Sequence, residues 1–190
     1  MTPGSCFVFI DASYLHDLAV AGAVVTDSED PCENLKKYTS AVKNPCSYEP
    51  GSFYKRELPC ILKVLEKIEE YVSVIFVDAY VWLPDGRPGL GARLHQTLNQ
   101  EKIVIGIAKN SFLTPEKAGL VKDVYRGKSK RPLFVSAAGV SLDDAVKMVS
   151  RLPGPFRIPS AMKAAHELSK STLLSLAKRR KGPDVIERGY

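Results

Sequence analysis

CFVFID, residues 6–11, is an unbroken apolar run that stops on a carboxylate, and its reading decides the fold. A run of that length and type fits a buried strand. LAVAGAVV (18–25) follows a short turn around residues 14–17 and is a second strand candidate, so the two read as a hairpin. Residues 27–45 are polar, and a third strand around 37–42 or a loop would both fit. SVIFVD (73–78) is a second apolar run ending in an aspartate. A Gly/Pro-rich turn, a helix around 90–98 and the run KIVIGIA (102–108) come next, and strand, helix, strand implies parallel pairing. PLFVSA (132–137) adds a strand. SLDDAVKMVSRL (141–152) starts a helix with Ser141 as N-cap and Asp144 at the third position of a box-like cap. A last helix over 160–178 runs into KRRKG. The expected class is α/β, a mixed central sheet flanked by helices. A single domain is expected over residues 1–178, followed by a flexible basic tail over 179–190.

The 190 residues are 45% hydrophobic, enough to bury a full core, and carry a formal net charge of +6. A pI of about 9.1 favours a polyanionic partner, with nucleic acid first among them. Cys6, Cys32, Cys46 and Cys60 are widely spaced and lack CxxC pairs, which fits reduced thiols rather than a zinc or dithiol site. No signal-like segment opens the chain and no apolar run is long enough to cross a bilayer. These features point to a cytoplasmic monomer with no membrane association.

Between the hairpin and SVIFVD lies YEPGSFYKRELPCILKVLEKI (48–68), a turn-rich loop that becomes a helix. Glu57 extends the apolar stripe of Ile61, Val64 and Ile68 back by one turn, so its carboxylate is expected at the edge of the core. Pro59 is tolerated mainly in a first turn, which places Glu57 near the helix start; a kinked helix from about Gly51 is the alternative. A carboxylate there would serve the helix dipole, pair with Lys55 or Arg56, or take part in a site.

Asp11 and Asp78 each close an apolar strand, and sites assemble at the carboxyl ends of strands in open α/β sheets. Either could simply cap the following turn. Two such carboxylates side by side repel, so a dry pair needs a shared proton or a cation. With Glu57 they could complete an oxygen cage suited to Mg²⁺ or Mn²⁺.

The segments FVFIDASY (7–14), YEPGSFYKRELP (48–59), VIFVDAY (74–80), GLGARL (89–94), IVIGIAKN (103–110), KSKRPLFVSA (128–137) and RIPSAMKAAH (157–166) occur in a telling order. In that order and approximate spacing they resemble the endonuclease V family, deoxyinosine-directed nucleases of ribonuclease H-like fold. The resemblance implies that Asp11, Glu57 and Asp78 are the acidic metal-binding positions, taking Mg²⁺ with Mn²⁺ as substitute. It also implies that Lys109 ends the strand beside them and that His166 lies on a last helix linked to the site. Tyr48 and Pro50 would belong to the strand-separating wedge, with Glu49 in place of an aliphatic residue. Asp78-Ala79-Tyr80-Val81 and Ser136-Ala137-Ala138-Gly139 stand where the family carries Asp-Gly-His-Gly and Ser-Pro-Gly-His. The implied activity is hydrolysis of a phosphodiester 3′ to deoxyinosine in DNA, leaving a 3′-hydroxyl and a 5′-phosphate. Inosine-containing RNA and structured or single-stranded nucleic acid are alternative substrates, and a non-cleaving binding module is an alternative class.

Lys122, Arg126, Lys128, Lys130 and Arg131 crowd into ten residues with Tyr125 among them, a candidate phosphate track that would otherwise be a solvated loop. Lys128, Lys130 and Arg131 are its nucleic-acid-binding candidates. His16 and His95 have no metal-ligand spacing, and KRRK (178–181) fits a solvated helix end.

Overall fold

A computed structural model describes residues 5–28, 34–43, 53–83, 85–111 and 119–181. Strands β1 (Cys6–Leu15), β2 (Leu18–Asp27) and β3 (Asn34–Lys43) form an antiparallel meander. The hairpin is tighter than a turn over 14–17: Leu15 already pairs with Leu18, and His16 takes the turn at φ 51°. The polar stretch whose sequence fitted either strand or loop is strand β3. Its pairing with β2, whose side chains are almost all buried, supplies the ordering that its own composition does not.

Strand β4 (Val72–Val77) lies parallel to β1, and β5 (Ile103–Ala108) lies parallel to β4 beyond helix α2 (Leu90–Thr97). β6 (Lys122–Val124) and β7 (Leu133–Ala138) close the far edge antiparallel, in the order β3-β2-β1-β4-β5-β7-β6. β6 occupies part of what reads in sequence as a basic loop; three residues are too few for a periodic signal.

Side chains alternate across β1, so Val8 and Ile10 join one core while Phe7 and Phe9 join the other. The first core is covered by α1 (Phe53–Leu65) and α2. The second is covered by α3 (Leu142–Arg151) and α4 (Ser160–Lys181). Phe76 stacks on Phe9 at 4.6 Å and meets Phe7 edge-on at 5.5 Å, so truncating it to Ala should cost about 3–5 kcal/mol. α3 starts as its sequence requires: Ser141 Oγ accepts from the Asp144 amide at 3.1 Å and donates to Asp144 Oδ2 at 2.7 Å.

Helix α1 departs from the expectation that Pro59 lies in its first turn. It begins at Phe53, so Pro59 is interior and Glu57 is the fifth helical residue, too far in for a first-turn dipole role. An interior proline costs about 3 kcal/mol. Cys60, Ile61 and Val64 are each at most 1% exposed, and burial worth about 1.5–3 kcal/mol for each large side chain outweighs that cost. Pro59 itself faces solvent. At the other end of the chain α4 runs three residues past the expected domain limit, so residues 179–181 are helix rather than tail. Residues 182–190 lie outside the described residues.

Candidate active site

The parallel register of β1 and β4 pairs Ile10 with Val77, so the next residue of each chain segment, Asp11 and Asp78, comes side by side at one end of the sheet. The stripe of α1 delivers Glu57 onto the same place. All three carboxylates line one cavity of about 280 Å³ together with Tyr14, Ile61 and Leu90.

Each acid has its own surroundings. Asp11 Oδ2 lies 3.0 Å from His166 Nδ1 and 3.1 Å from Ser169 Oγ, both from α4. The Ser169 hydroxyl also lies 2.9 Å from the His166 carbonyl and 2.8 Å from Ser13 Oγ, so it donates to one acceptor at a time and can accept from Ser13. Asp78 is ion-paired with Lys109, the residue after β5. Glu57 is only 7% exposed. Tyr14 stands beside it with its ring under the Arg56 guanidinium at 3.8 Å, and its buried hydroxyl faces the Glu57 carboxyl, the group that acts on it as a hydrogen-bond partner.

The electrostatics follow from this crowding. Burial pushes the Glu57 carboxyl well above the usual carboxylate range, and the charges of Asp11 and Asp78 push it further. Asp11 is also raised, by burial first and by Asp78 second, against the lowering effect of His166 and Ser169. Burial raises the Tyr14 phenol as well, and the charges of Glu57 and Cys60 raise it further.

The donor set is three carboxylates from three elements in a half-dry cavity, all oxygen and all mutually repelling, which suits a hard divalent cation. As the side chains stand, Asp11 is engaged by His166 and Asp78 by Lys109. Among the described residues no three His, Cys, Asp or Glu side chains converge tightly enough to hold an ion. The residues fit such a cation by chemistry and placement rather than by a preformed cage.

A second cavity of about 630 Å³ shares Asp78 and Lys109 and continues past Tyr54, Tyr80, Arg87 and Asn110. The loop that follows Asp78 forms its wall. Tyr80 donates to the Asn110 carbonyl at 2.9 Å, the Val81 amide donates to buried Ser136 Oγ at 2.8 Å, and Trp82 Nε1 donates to the Ala137 carbonyl at 3.0 Å. Gly106 is required beneath it, because a Cβ there would stand 2.3 Å from the Ala79 carbonyl oxygen.

The five sequence-predicted residues Asp11, Glu57, Asp78, Lys109 and His166 are therefore brought together. Tyr48, Glu49 and Pro50 lie outside the described residues. Lys128, Lys130 and Arg131 are exposed on the loop after β6. Arg126 leaves the expected phosphate track: it is 6% exposed and its guanidinium is spent on backbone carbonyls. Lys122 pairs with Asp143. Sequence reasoning missed Ser13, Tyr14 and Ser169. Tyr14 was legible in principle, four residues past Ile10 on the same face of the strand.

Comparison with known proteins bears on the family and the fold. The family model for endonuclease V matches residues 5–167, which contain all five of these residues. Endonuclease V of Thermus thermophilus is 32% identical over 139 residues, 63% of this chain and 60% of that protein, so the match spans about 60% of that relative's length. Among solved structures, endonuclease V of Streptomyces avermitilis superposes with a TM-score of 0.75 at 27% identity, covering 92% of this chain and 84% of that one. Endonuclease V of Ciona intestinalis, solved with a 24mer DNA containing an inosine followed by a ribo-adenosine, gives 0.75 at 24% identity over 90% of this chain and 87% of that one, a likeness of fold. The mixed sheet is thus ribonuclease H-like, as the resemblance implied, and with a family match across most of its length this chain belongs to the endonuclease V family.

Proposed function

We propose that the chain is a divalent-metal-dependent endonuclease that hydrolyses a phosphodiester 3′ to deoxyinosine, or a related deaminated base, in DNA. The observation that carries this reading is the convergence of Asp11, Glu57 and Asp78 on one cavity beside Lys109 in a member of this family. Asp11, Glu57 and Asp78 would hold the cation, Mg²⁺ with Mn²⁺ as substitute. When bound, the ion supplies an acidified water and a counter-charge for the phosphate. Lys109 exchanges its Asp78 partner for a phosphate oxygen and steadies the scissile group. His166 and Ser169 fix the orientation of the Asp11 carboxylate. The apolar walls, Ile61 and Leu90, keep the field of these charges strong by limiting water. Among the described residues no helix is long and apolar enough to span a membrane, and Cys6 and Cys60 are buried free thiols.

Inosine-containing RNA is the second reading. It draws on the Ciona intestinalis protein of the same fold, whose bound strand carries a ribo-adenosine after the inosine. End-labelled DNA and RNA strands, each with and without one inosine, incubated with Mg²⁺, Mn²⁺ or EDTA, test both readings. Metal-dependent cutting confined to inosine strands is expected. Equal cutting of strands without inosine would remove the lesion from the account, and cutting in EDTA would remove the metal.

A further inference from the structure

Four large apolar side chains are exposed among the described residues, Tyr71, Tyr125, Phe156 and Leu174. Two of them, Tyr125 and Phe156, belong to two loops that meet at the far side of the sheet. The loops enclose a cleft of about 530 Å³ lined by Lys128, Ser129, Pro155, Phe156 and Arg157. Phe156 is 68% exposed at its rim.

The meeting of the loops is built, not incidental. Buried Arg126 donates from Nη1 to the carbonyls of Arg157 at 3.0 Å and Phe156 at 3.4 Å, and from Nη2 to those of Leu152 and, at 3.4 Å, Pro153. Gly127 takes φ 59°, and a Cβ there would stand 2.5 Å from the Pro155 carbonyl oxygen, so only glycine lets the two backbones approach this closely. Arg157 in turn donates to the Pro132 carbonyl at 3.4 Å.

Position adds meaning to this construction. Ala108 pairs with Phe134 and Leu133 with Val124, so residues 125–132 leave the sheet at the same end as Asp78 and Lys109. The loop lies one strand spacing from β5 at its β7 end and two, about 10 Å, at its β6 end. The ion pairs of the described residues include none of Lys128, Lys130, Arg131 and Arg157, which leaves four cations available to an anion.

We propose that this cleft binds a single-stranded stretch of nucleic acid, with a base stacked on Phe156 and phosphates on Lys128 and Arg157, next to the cutting site. The inference rests on the nucleic-acid reading above. An exposed ring among unpaired cations matches a strand that offers an aromatic face and a phosphate at each step. A duplex hides its base faces and cannot use the ring. A second copy of this chain would bring like charge against like charge.

The test is fluorescence anisotropy in EDTA with the full-length chain, using a labelled twelve-nucleotide oligothymidylate and a duplex of the same length. Phe156→Ala should weaken single-strand binding about tenfold and leave duplex binding within about twofold, while Phe156→Tyr, which keeps a stacking face, restores it. Lys128→Gln with Arg157→Gln should weaken both probes and flatten the salt dependence. Unchanged single-strand affinity in Phe156→Ala overturns the cleft while leaving the nuclease reading in place. Wild type that binds neither probe overturns both. A wild-type dimer in light scattering that Phe156→Ala converts to monomer would assign the ring to self-association instead.

Discussion

Glu57 shows how one buried carboxylate links stability to function. Its folded pKa lies above its value in the unfolded chain, about 4.3, because burial and the neighbouring aspartates disfavour the charge. A group shifted upward favours the folded state fully below the unfolded pKa and loses that contribution as pH rises toward the folded pKa. Glu57→Gln should therefore melt higher than wild type at pH 7 in EDTA, by roughly 2–4 °C for each kcal/mol relieved, with the difference closing toward pH 4. A melting temperature below wild type at pH 7 would mean that the three acids do not repel as described. Asp11→Asn and Asp78→Asn keep shape and remove a charged ligand, so each should abolish cleavage while the circular dichroism and much of the nucleic-acid affinity remain. Near-native turnover by either variant in saturating Mg²⁺ would take that aspartate out of the site. The inward aim of Glu57 was legible from its three-and-four spacing with Ile61 and Val64. The Ser13–Ser169 pair was not, since two serines 156 residues apart carry no local pattern.

At the scale of elements, α4 is the clamp on Asp11. Asp11 pairs across the hairpin with Gly22, and a Cβ on Gly22 would stand 2.7 Å from both the Ala165 carbonyl oxygen and the Ser169 amide nitrogen. The helix backbone thus rests on the sheet where His166 and Ser169 reach Asp11. Gly22→Ala should push α4 outward, costing about 1–3 kcal/mol in urea titration and lowering turnover through the loss of both partners. An unchanged midpoint would show that the helix accommodates the methyl group. Ser169→Ala removes one hydroxyl from the carboxylate without moving the helix, so turnover should fall about tenfold, the equivalent of about 1.4 kcal/mol, at unchanged affinity for nucleic acid. Equal turnover would make Ser169 a packing residue. Sequence placed the end of β4 and the cap of α3 well, because apolar runs and a Ser-x-x-Asp cap are local signals; it ended β1 at Asp11, whereas pairing with β2 carries that strand on to Leu15. Of the two starts it allowed for α1, the structure takes the earlier one, where packing of Cys60, Ile61 and Val64 overrides the proline, and it missed β6, which exists through its pairing with β7.

For the whole molecule, topology does what no single motif does. Two parallel crossings, β1 to β4 and β4 to β5, bring Asp11, Asp78 and Lys109 to one edge in consecutive strands, and α1 and α4 supply Glu57 and His166 from opposite faces of the sheet. Strand, helix and strand in sequence already implied the parallel centre; that α4 closes over β1 and β2, far from its neighbours in sequence, did not follow from any local pattern. The account requires that this edge be one cation site made jointly by three carboxylates. Calorimetric titration of Mn²⁺ into metal-free wild type and into Asp11→Asn, Glu57→Gln and Asp78→Asn tests that requirement most directly. The account predicts saturable Mn²⁺ binding by wild type that each of the three substitutions weakens by at least about tenfold, that is about 1.4 kcal/mol. Wild type without saturable binding, or three variants that bind Mn²⁺ as wild type does, would contradict it.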